Sequence, residues 1–382
     1  MQPTIEDIQL SRKEKAINLL KEYDMDGWLI IGSNNDPNLE YLLGITPYSN
    51  TVLLLTRDEL IVLVSSLEES MVQFKHVDEV ITYYGLKEFM TKLIEILLKI
   101  KGSRVYLNNS SPLILLHASR IYSGHEKIVK NIGSILDITF QPSHEYVYRL
   151  RAQKTDEEIN ALKIVSKRTA EIIEHVIEEK IKIGMTEKEV AAEIYKEFYL
   201  EGSPSFEIIV AFGENSANPH HLTSLKKLRE GEIGYIDAGL KNLSLCGDIT
   251  RAFFTSGYDS EARKVYAVVR EAQDESIKVI KTGVSANYPD KIAREVIDKH
   301  GYDTKLFSHG LGHPIGVEVH DVGPALSYLT PDKIKLMENM ALTVEPALYF
   351  KNKWGIRIED NIIVSKNNAI RLTKAPEEPL II

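Results

Sequence analysis

The sequence has a single cysteine, Cys246, so no disulfide bond can form within the chain. Chains that fold without disulfides are typical of reducing compartments. Apolar runs are also short, since none approaches the ~18–20 residues that a membrane-spanning helix needs. The N-terminal segment, MQPTIEDIQLSRKEK, is too polar for a secretory signal. We therefore expect a cytoplasmic protein with no membrane partner.

An excess of positive charge is absent as well. The chain has 46 Lys and Arg against 55 Asp and Glu, a net charge of −9, which argues against a nucleic-acid partner. Hydrophobic residues make up 43% of the chain and charged residues 26%, as in ordinary globular proteins. Because 382 residues exceed the ~250–300 that one hydrophobic core usually serves, we expect two domains.

The first part of the chain, residues 1–148, has the pattern of a smaller α/β domain. A helix is predicted over residues 11–27, and NTVLLLTRDELIVLVSS indicates two apolar strands joined by a polar turn. No cluster of catalytic residue types occurs there. The charged stretch YRLRAQKTDEE interrupts the apolar pattern, so we place the domain boundary between residues 148 and 149.

Residues 149–382 repeat a coarse order of elements. Two helices, the first opened by the capping-box pair Thr155 and Glu158, precede several apolar strands, and two further helices then precede more strands. One of the later strands is predicted at VEVHD, residues 317–321. This order predicts an α+β domain built from two similar halves.

Four acidic residues interrupt the apolar strands of this second domain. They are Asp237, Asp248, Glu345 and Glu359. A buried carboxylate without a partner costs several kcal/mol, so four together require a cation. A salt bridge is the alternative for any one of them, and Arg357 is an obvious partner for Glu359. Salt bridges account poorly for the whole set, because six of the eleven histidines also fall between residues 220 and 320.

Histidines are concentrated in one segment, HGLGHPIGVEVHD, which contains His309, His313 and His320. A histidine can be a metal ligand, a proton carrier or a packed side chain, and the segment alone does not assign these roles. Together with the four acids, the segment predicts a metal site.

These residues, in this order, resemble the five-ligand signature of the creatinase/methionine-aminopeptidase superfamily. The matching motifs are DAG, GDITR, HGLGHPIGVEVHD, TVEP and GIRIEDN. The segments SFEIIVAFGENSANPHH and NNDPNLEYLLGI are similar to the prolidase and aminopeptidase P branch of that family. The resemblance implies a pita-bread fold in the second domain and a dinuclear metal centre.

The resemblance also implies residue roles. Two divalent ions, of Mn, Co, Zn or Fe, would be bound by Asp237 on one ion, His313 and Glu345 on the other, and Asp248 and Glu359 between them. The implied catalytic side chains are His220 and His320, which contact substrate and handle protons, the pocket histidine His309, and Arg357 near the product side. Pro314, directly after the ligand histidine, departs from the family pattern.

The implied function is hydrolysis of Xaa-Pro peptide bonds by attack of a metal-bridged hydroxide on the scissile carbonyl. The substrate is a small peptide with proline second, and the expected activity is that of a Xaa-Pro dipeptidase. Aminopeptidase P, acting on longer Xaa-Pro peptides, is the alternative, and the motif VHD favours it. The resemblance further implies a homodimer. A different class of function is a non-catalytic binding protein on the same fold, although such relatives have lost metal ligands and this chain has all five.

Overall fold

The computed structural model describes residues 3–34, 36–109 and 121–382. The chain divides into two units, Met1–Glu157 and Glu158–Ile382. Among the residues that the structure describes, no helix combines the length and the apolar character needed to cross a membrane.

The first unit contains one mixed sheet with helices along the chain between its strands. Its helices are α1 (Ile5–Glu22), α2 (Pro37–Leu43), α3 (Gly85–Lys99), α4 (Ser123–Ile135) and α5 (His144–Ala152). Its strands are β1 (Gly27–Gly32), β2 (Thr51–Thr56), β3 (Leu60–Ser65), β4 (Glu79–Tyr83), β5 (Arg104–Leu107) and β6 (Thr139–Pro142). Within the described residues, the strands pair in the order β4-β3-β2-β1-β5-β6.

The core of this unit follows from its apolar strands. The predicted hairpin is confirmed, since β2 and β3 pair in antiparallel register and are buried along almost their whole length. Helix α1 begins earlier than predicted, because Thr4 and Asp7 form a capping box ahead of the segment chosen from the sequence. The boundary proposed between residues 148 and 149 falls within α5.

The second unit has the repeated order of helices and strands that the sequence predicts. Its helices are α6 (Asp156–His175), which a π-helical turn (Val176–Lys180) continues, α7 (Glu187–Glu201), α8 (Ser260–Val279) and α9 (Tyr288–Lys299). Its strands are β7 (Ser203–Pro204), β8 (Ile209–Phe212), β9 (Ile233–Ala238), β10 (Leu240–Asn242), β11 (Leu245–Cys246), β12 (Ile249–Phe254), β13 (Ala341–Val344), β14 (Ala347–Phe350), β15 (Trp354–Arg357), β16 (Asp360–Val364), β17 (Ala369–Arg371) and β18 (Leu380–Ile381).

Short sheets form the centre of the second unit. Within the described residues, the strands pair as β18-β12-β9-β8, β13-β16-β17, β14-β15 and β11-β10-β7. Short 3₁₀ helices lie at Glu69–Met71 in the first unit, and at Gly213–Ala217 and Thr304–Leu306 in the second. The side chains of α6, α7, β8, β9 and β12 share one apolar core.

The strand predicted at residues 317–321 is absent, and the apolar run 341–350, which the sequence pattern predicts as one strand, is divided. Residues 317–320 form successive bends, because the Asp321 carboxylate accepts the Val317 N–H at 3.1 Å and the Asp321 N–H donates back to the Pro314 carbonyl at 2.9 Å. The apolar run 341–350 is two strands, which end and begin on either side of Glu345 and Pro346. Proline has no N–H to donate, so it does not continue a strand interior.

Candidate metal centre

The four acids of the second unit lie at one end of its short strands. Asp237 is within β9, whereas Asp248, Glu345 and Glu359 each lie just outside a strand, next to β12, β13 and β16. The antiparallel pairing of β9 with β12 sets Asp237 opposite Thr250, two residues after Asp248. Three acids thus lie at strand ends rather than inside strands as the sequence pattern predicted, and their side chains can turn toward a common point.

A single cavity of about 470 Å³ collects all nine residues predicted for the site. They are His220, Asp237, Asp248, His309, His313, His320, Glu345, Arg357 and Glu359. The remaining lining is largely apolar and includes Phe206, Ile209 and Pro219.

The tightest group of possible ligands is Asp248, His313 and Glu359. One ligand atom from each lies within 4.8 Å of the others. The His313 Nε2 atom lies 3.3 Å from an Asp248 oxygen and 3.7 Å from a Glu345 oxygen. Two carboxylates therefore converge on the same imidazole nitrogen, as they would around a cation.

The orientation of His313 follows from its other ring nitrogen. Nδ1 lies 3.1 Å from the Pro314 carbonyl, which can only accept a hydrogen bond, so Nδ1 carries a proton and donates it. Nε2 is consequently the nitrogen that presents a lone pair to the pocket in the neutral ring. A backbone carbonyl that orients the second nitrogen in this way is a usual feature of metal-binding histidines.

Three buried carboxylate oxygens have the chemistry of cation ligands. None of the described residues donates a hydrogen bond to Asp237 Oδ1, Asp248 Oδ1 or Glu359 Oε1. Buried polar atoms are nearly always paired, and hard or borderline divalent ions bind carboxylate oxygens together with imidazole. This donor set fits the divalent ions that the sequence implies.

Crowding of these groups changes their pKa values. Burial, with a contribution from Asp237, raises the pKa of Asp248 to about 7, and burial raises that of Glu345 to about 7 as well. Burial and the neighbouring acids raise the pKa of Glu359 well above its ordinary value. Burial opposes the charge on His313, but the adjacent Asp248 and Glu345 outweigh it and raise its pKa to about 9. Without a cation, these groups therefore hold protons more readily than ordinary side chains do.

A second layer of side chains fixes the acids. The Thr250 hydroxyl donates to Glu359 Oε2 at 2.8 Å, which leaves Glu359 Oε1 toward the pocket. Asn361 donates through its side chain to the Asp248 carbonyl at 2.8 Å. Arg357 forms its ion pair with Asp237, not with Glu359 as the salt-bridge alternative supposed. The sequence pattern placed Thr250 on the same face as Asp248 but gave no sign of its contact with Glu359.

His309 lies in the pocket with both ring nitrogens engaged. Nδ1 faces the Gly310 carbonyl at 2.8 Å and is therefore the donor, so Nε2 accepts from the Tyr349 hydroxyl at 3.0 Å. Burial and the nearby Arg357 lower the pKa of His309 to about 3. In this structure His309 is a neutral wall of the pocket rather than a proton donor.

His220 and His320 are the exposed histidines of the pocket. His320 packs edge-on against His313, with ring centroids 4.0 Å apart. His220 lies on the loop before β9, between Pro219 and His221. Both residues line the cavity, and their roles toward a substrate stay predictions.

The sequence and structure of this chain are similar to those of known peptidases. Residues 160–366 match the model of metallopeptidase family M24, and residues 12–111 match the creatinase/prolidase N-terminal domain. These matches confirm the predicted α+β architecture with a preceding N-terminal domain and the resemblance on which it rested.

Individual relatives cover nearly the whole chain. The Xaa-Pro dipeptidase of Pyrococcus horikoshii is 30% identical over 97% of this chain and 99% of its own length. The Xaa-Pro dipeptidase of Pyrococcus furiosus is 32% identical over 97% and 99%. Among solved structures, the X-Pro aminopeptidase of Thermotoga maritima superposes with a TM-score of 0.83 at 29% identity, over 96% of this chain and 100% of that one.

Proposed function

Since the chain belongs to metallopeptidase family M24, we propose that it hydrolyses the peptide bond between a first residue and a proline in second position. The observation that carries the proposal is the group of Asp248, His313 and Glu359, with unpaired buried oxygens facing the pocket. The names of the two Pyrococcus relatives support Xaa-Pro dipeptides as the substrate class.

We assign the binding of two divalent ions to the five ligands Asp237, Asp248, His313, Glu345 and Glu359. Such a pair of ions, when bound, supplies an activated water at neutral pH and polarises the scissile carbonyl. The chain's own contribution is to hold the ligands. Thr250 and Arg357 each take one carboxylate oxygen, of Glu359 and Asp237, and leave the other for a cation.

The pocket histidines are assigned to the substrate. His220 and His320, which are exposed, are proposed to hydrogen-bond the peptide and to handle protons at the bond that is cleaved. We propose that His309, which is neutral, and Arg357, which is charged, line the side of the pocket that holds the product. The apolar lining, which includes Phe206, suits a substrate whose second residue is an uncharged ring.

The test is metal analysis combined with a substrate comparison. We expect the purified chain to bind Mn²⁺ or Co²⁺ and to release free proline from a Xaa-Pro dipeptide. A chain that binds no divalent ion and hydrolyses no Xaa-Pro peptide would instead be a binding protein on this fold, and the proposal would be abandoned.

Aminopeptidase P activity is the second candidate, and the high structural similarity to a protein named X-Pro aminopeptidase favours it. The two activities separate in one experiment, in which initial rates on Ala-Pro and on Ala-Pro-Ala are measured side by side. A higher kcat/KM on the dipeptide supports the dipeptidase, and the reverse result supports the aminopeptidase. Manganese as the metal, a homodimer and a cytoplasmic location stay predictions.

A further inference from the structure

A buried carboxylate lies behind the loop that carries His220. Glu187, the first residue of α7, is fully buried, and it is not part of the pocket lining. Neither the family motifs nor the strand pattern singles it out. Burying a charge costs several kcal/mol of stability unless hydrogen-bond donors surround it. The donors around Glu187 therefore indicate its role.

The two oxygens of Glu187 accept hydrogen bonds from different elements. Oε1 accepts from the Phe212 N–H at 2.9 Å and from the Asn215 amide at 2.8 Å. Oε2 lies 2.8 Å from His221 Nε2, and it accepts from the Ser224 N–H at 2.9 Å and the Ser224 hydroxyl at 2.6 Å. One oxygen therefore holds the end of β8, and the other holds the loop just after His220.

Glu187 is charged in this setting. Burial raises the pKa of the carboxyl, but the hydrogen bonds from Ser224, Asn215 and His221 outweigh burial and leave the pKa below its ordinary value. Hydrogen bonds to an ionised acceptor are roughly twice as strong as neutral ones, so the contact to the loop is a firm one.

The other side of the same loop is held from the pocket. The Tyr235 hydroxyl donates to the Asn218 carbonyl at 3.0 Å, and Arg357 donates to the Pro219 carbonyl at 3.2 Å. His220 lies between these contacts and those of Glu187. Its ring is exposed, so its position depends on how the backbone on both sides is fixed.

We propose that Glu187 is a positioning residue, which acts through His221 and Ser224 to keep His220 directed at the substrate. This inference rests on the proposed peptidase function. The variant that tests it is Glu187→Gln, which has the same shape, keeps an oxygen for Phe212 and Asn215, and loses the acceptor that holds His221 and Ser224. We expect kcat on the preferred Xaa-Pro peptide to fall about tenfold, because small displacements of a substrate-contacting group are costly.

A double-mutant cycle separates positioning from a general loss of stability. In a His220→Ala background, Glu187→Gln is expected to lower kcat less than twofold, since the group that it positions is gone. Metal content should equal that of the unmodified chain in every variant. If His220→Ala leaves turnover below detection, the same cycle is measured on the binding of Ala-Pro to the metal-free chain by calorimetry, where Glu187→Gln should weaken binding in the unmodified background and leave it unchanged in the His220→Ala background.

The matched control is Glu271→Gln. Glu271 also pairs with a histidine, His300, at 2.9 Å, but both are half exposed and lie outside the pocket lining. This control is expected to leave kcat unchanged. Equal losses for Glu187→Gln in both backgrounds, a loss of bound metal, or an unchanged kcat would each overturn the proposal. An unmodified chain that cleaves no Xaa-Pro peptide would overturn the proposed function instead.

Discussion

The four acids proposed as metal ligands and two of the pocket histidines, His220 and His309, line one cavity, but they are held by different means. The acids are on β9 or at the ends of β12, β13 and β16, where the sheet hydrogen bonds fix the backbone next to each carboxylate. His220 and His309 are on irregular segments. Charged side chains from two helices hold those segments, Glu187 of α7 for the first and Arg294 of α9 for the second.

The two loop anchors have opposite charges and use opposite backbone groups. Glu187 accepts from N–H groups, whereas Arg294 donates to the carbonyls of Phe307 at 2.9 Å and His309 at 2.7 Å. Arg294 also lies between the rings of Phe307 and Tyr328, which fixes its plane. The comparison teaches that sheet hydrogen bonds hold the acids proposed as ligands, whereas a charged side chain from a helix holds each loop that carries His220 or His309.

Removing a proposed metal ligand is expected to have the largest effect. In His313→Ala the pocket loses its imidazole ligand, and the carboxylates of Asp248 and Glu345 face each other without it. We expect hydrolysis to fall below detection and bound metal to be lost, measured by elemental analysis of the purified chain. Glu359→Ala should behave in the same way.

His309→Ala is the matched control for that variant, because it removes a histidine from the same segment. His309 contacts Gly310 and Tyr349 through its nitrogens, so the metal content should be unchanged. A His309 variant that loses as much metal as His313→Ala would contradict the distinction between proposed metal ligands and histidines that only line the pocket.

His220→Ala tests the loop side of the comparison. We expect kcat to fall about a hundredfold, the usual contribution of a group that handles protons, with metal content preserved. The control is His300→Ala, whose ring pairs with Glu271 outside the pocket lining. Metal loss in His220→Ala comparable to that in His313→Ala would make His220 a ligand and contradict its assignment.

The sequence predicted which residues line the cavity, but it did not predict where those residues lie relative to the ends of the strands. The apolar pattern of the strands identified the four acids, because a carboxylate among buried apolar residues needs a partner such as a cation, whatever the exact strand boundaries are. The same pattern did not show that three of the acids lie at strand ends. That outcome depends on breaks such as the one at Pro346, where the chain leaves the sheet.

Pro314 illustrates what a linear pattern leaves out. It lies opposite Leu342 of β13, and the bridging hydrogen bonds use the His313 carbonyl and the Ile315 N–H on either side of it. At this position the backbone nitrogen points away from the strand, so a residue without an N–H is tolerated. The nearby Gly312 lies so close to β13 that an added Cβ would overlap the Thr343 carbonyl oxygen.

The anchors were beyond prediction for a different reason. Glu187 meets its loop partners 34 and 37 residues further along the chain. Its position next to a capping box favours an exposed first helical turn, which is the opposite of its burial. Only the folded arrangement of α7 against β8 shows that this acid faces inward.

Thr250→Val tests how the acids at the strand ends are oriented. The variant keeps the shape of the side chain but removes the hydroxyl that fixes Glu359 Oε2. We expect the dissociation constant for Mn²⁺ to rise about tenfold, as is typical when a group that orients a ligand is removed. Thr255→Val is the control, because Thr255 follows the same strand and, among the described residues, its hydroxyl donates to the carbonyls of Arg229 and Glu232 and to no acid. Equal metal affinities in the two variants would mean that the Thr250 hydroxyl does not contribute to metal binding.

The remaining prediction, which changes no residue, is the pH dependence of metal binding. The pKa values of Asp248 and Glu345 are raised to about 7 and that of His313 to about 9, so the folded metal-free chain holds these protons more tightly than the unfolded chain. These three groups therefore contribute stability that is greatest below their ordinary pKa values and is lost as the pH rises to about 7 for the two acids and to about 9 for His313.

Metal binding must displace the same protons. The dissociation constant for Mn²⁺ should consequently fall about tenfold or more between pH 6 and pH 8, with proton release detected by calorimetry in buffers of different ionisation enthalpy. Over the same interval the melting temperature should fall in the metal-free chain. His309, with its pKa lowered to about 3, stays neutral throughout, so His309→Ala should leave the pH dependence unchanged. A metal affinity that is flat from pH 6 to pH 8 would mean that the strand-side acids are already ionised without metal, held apart by the sheet rather than neutralised by protons.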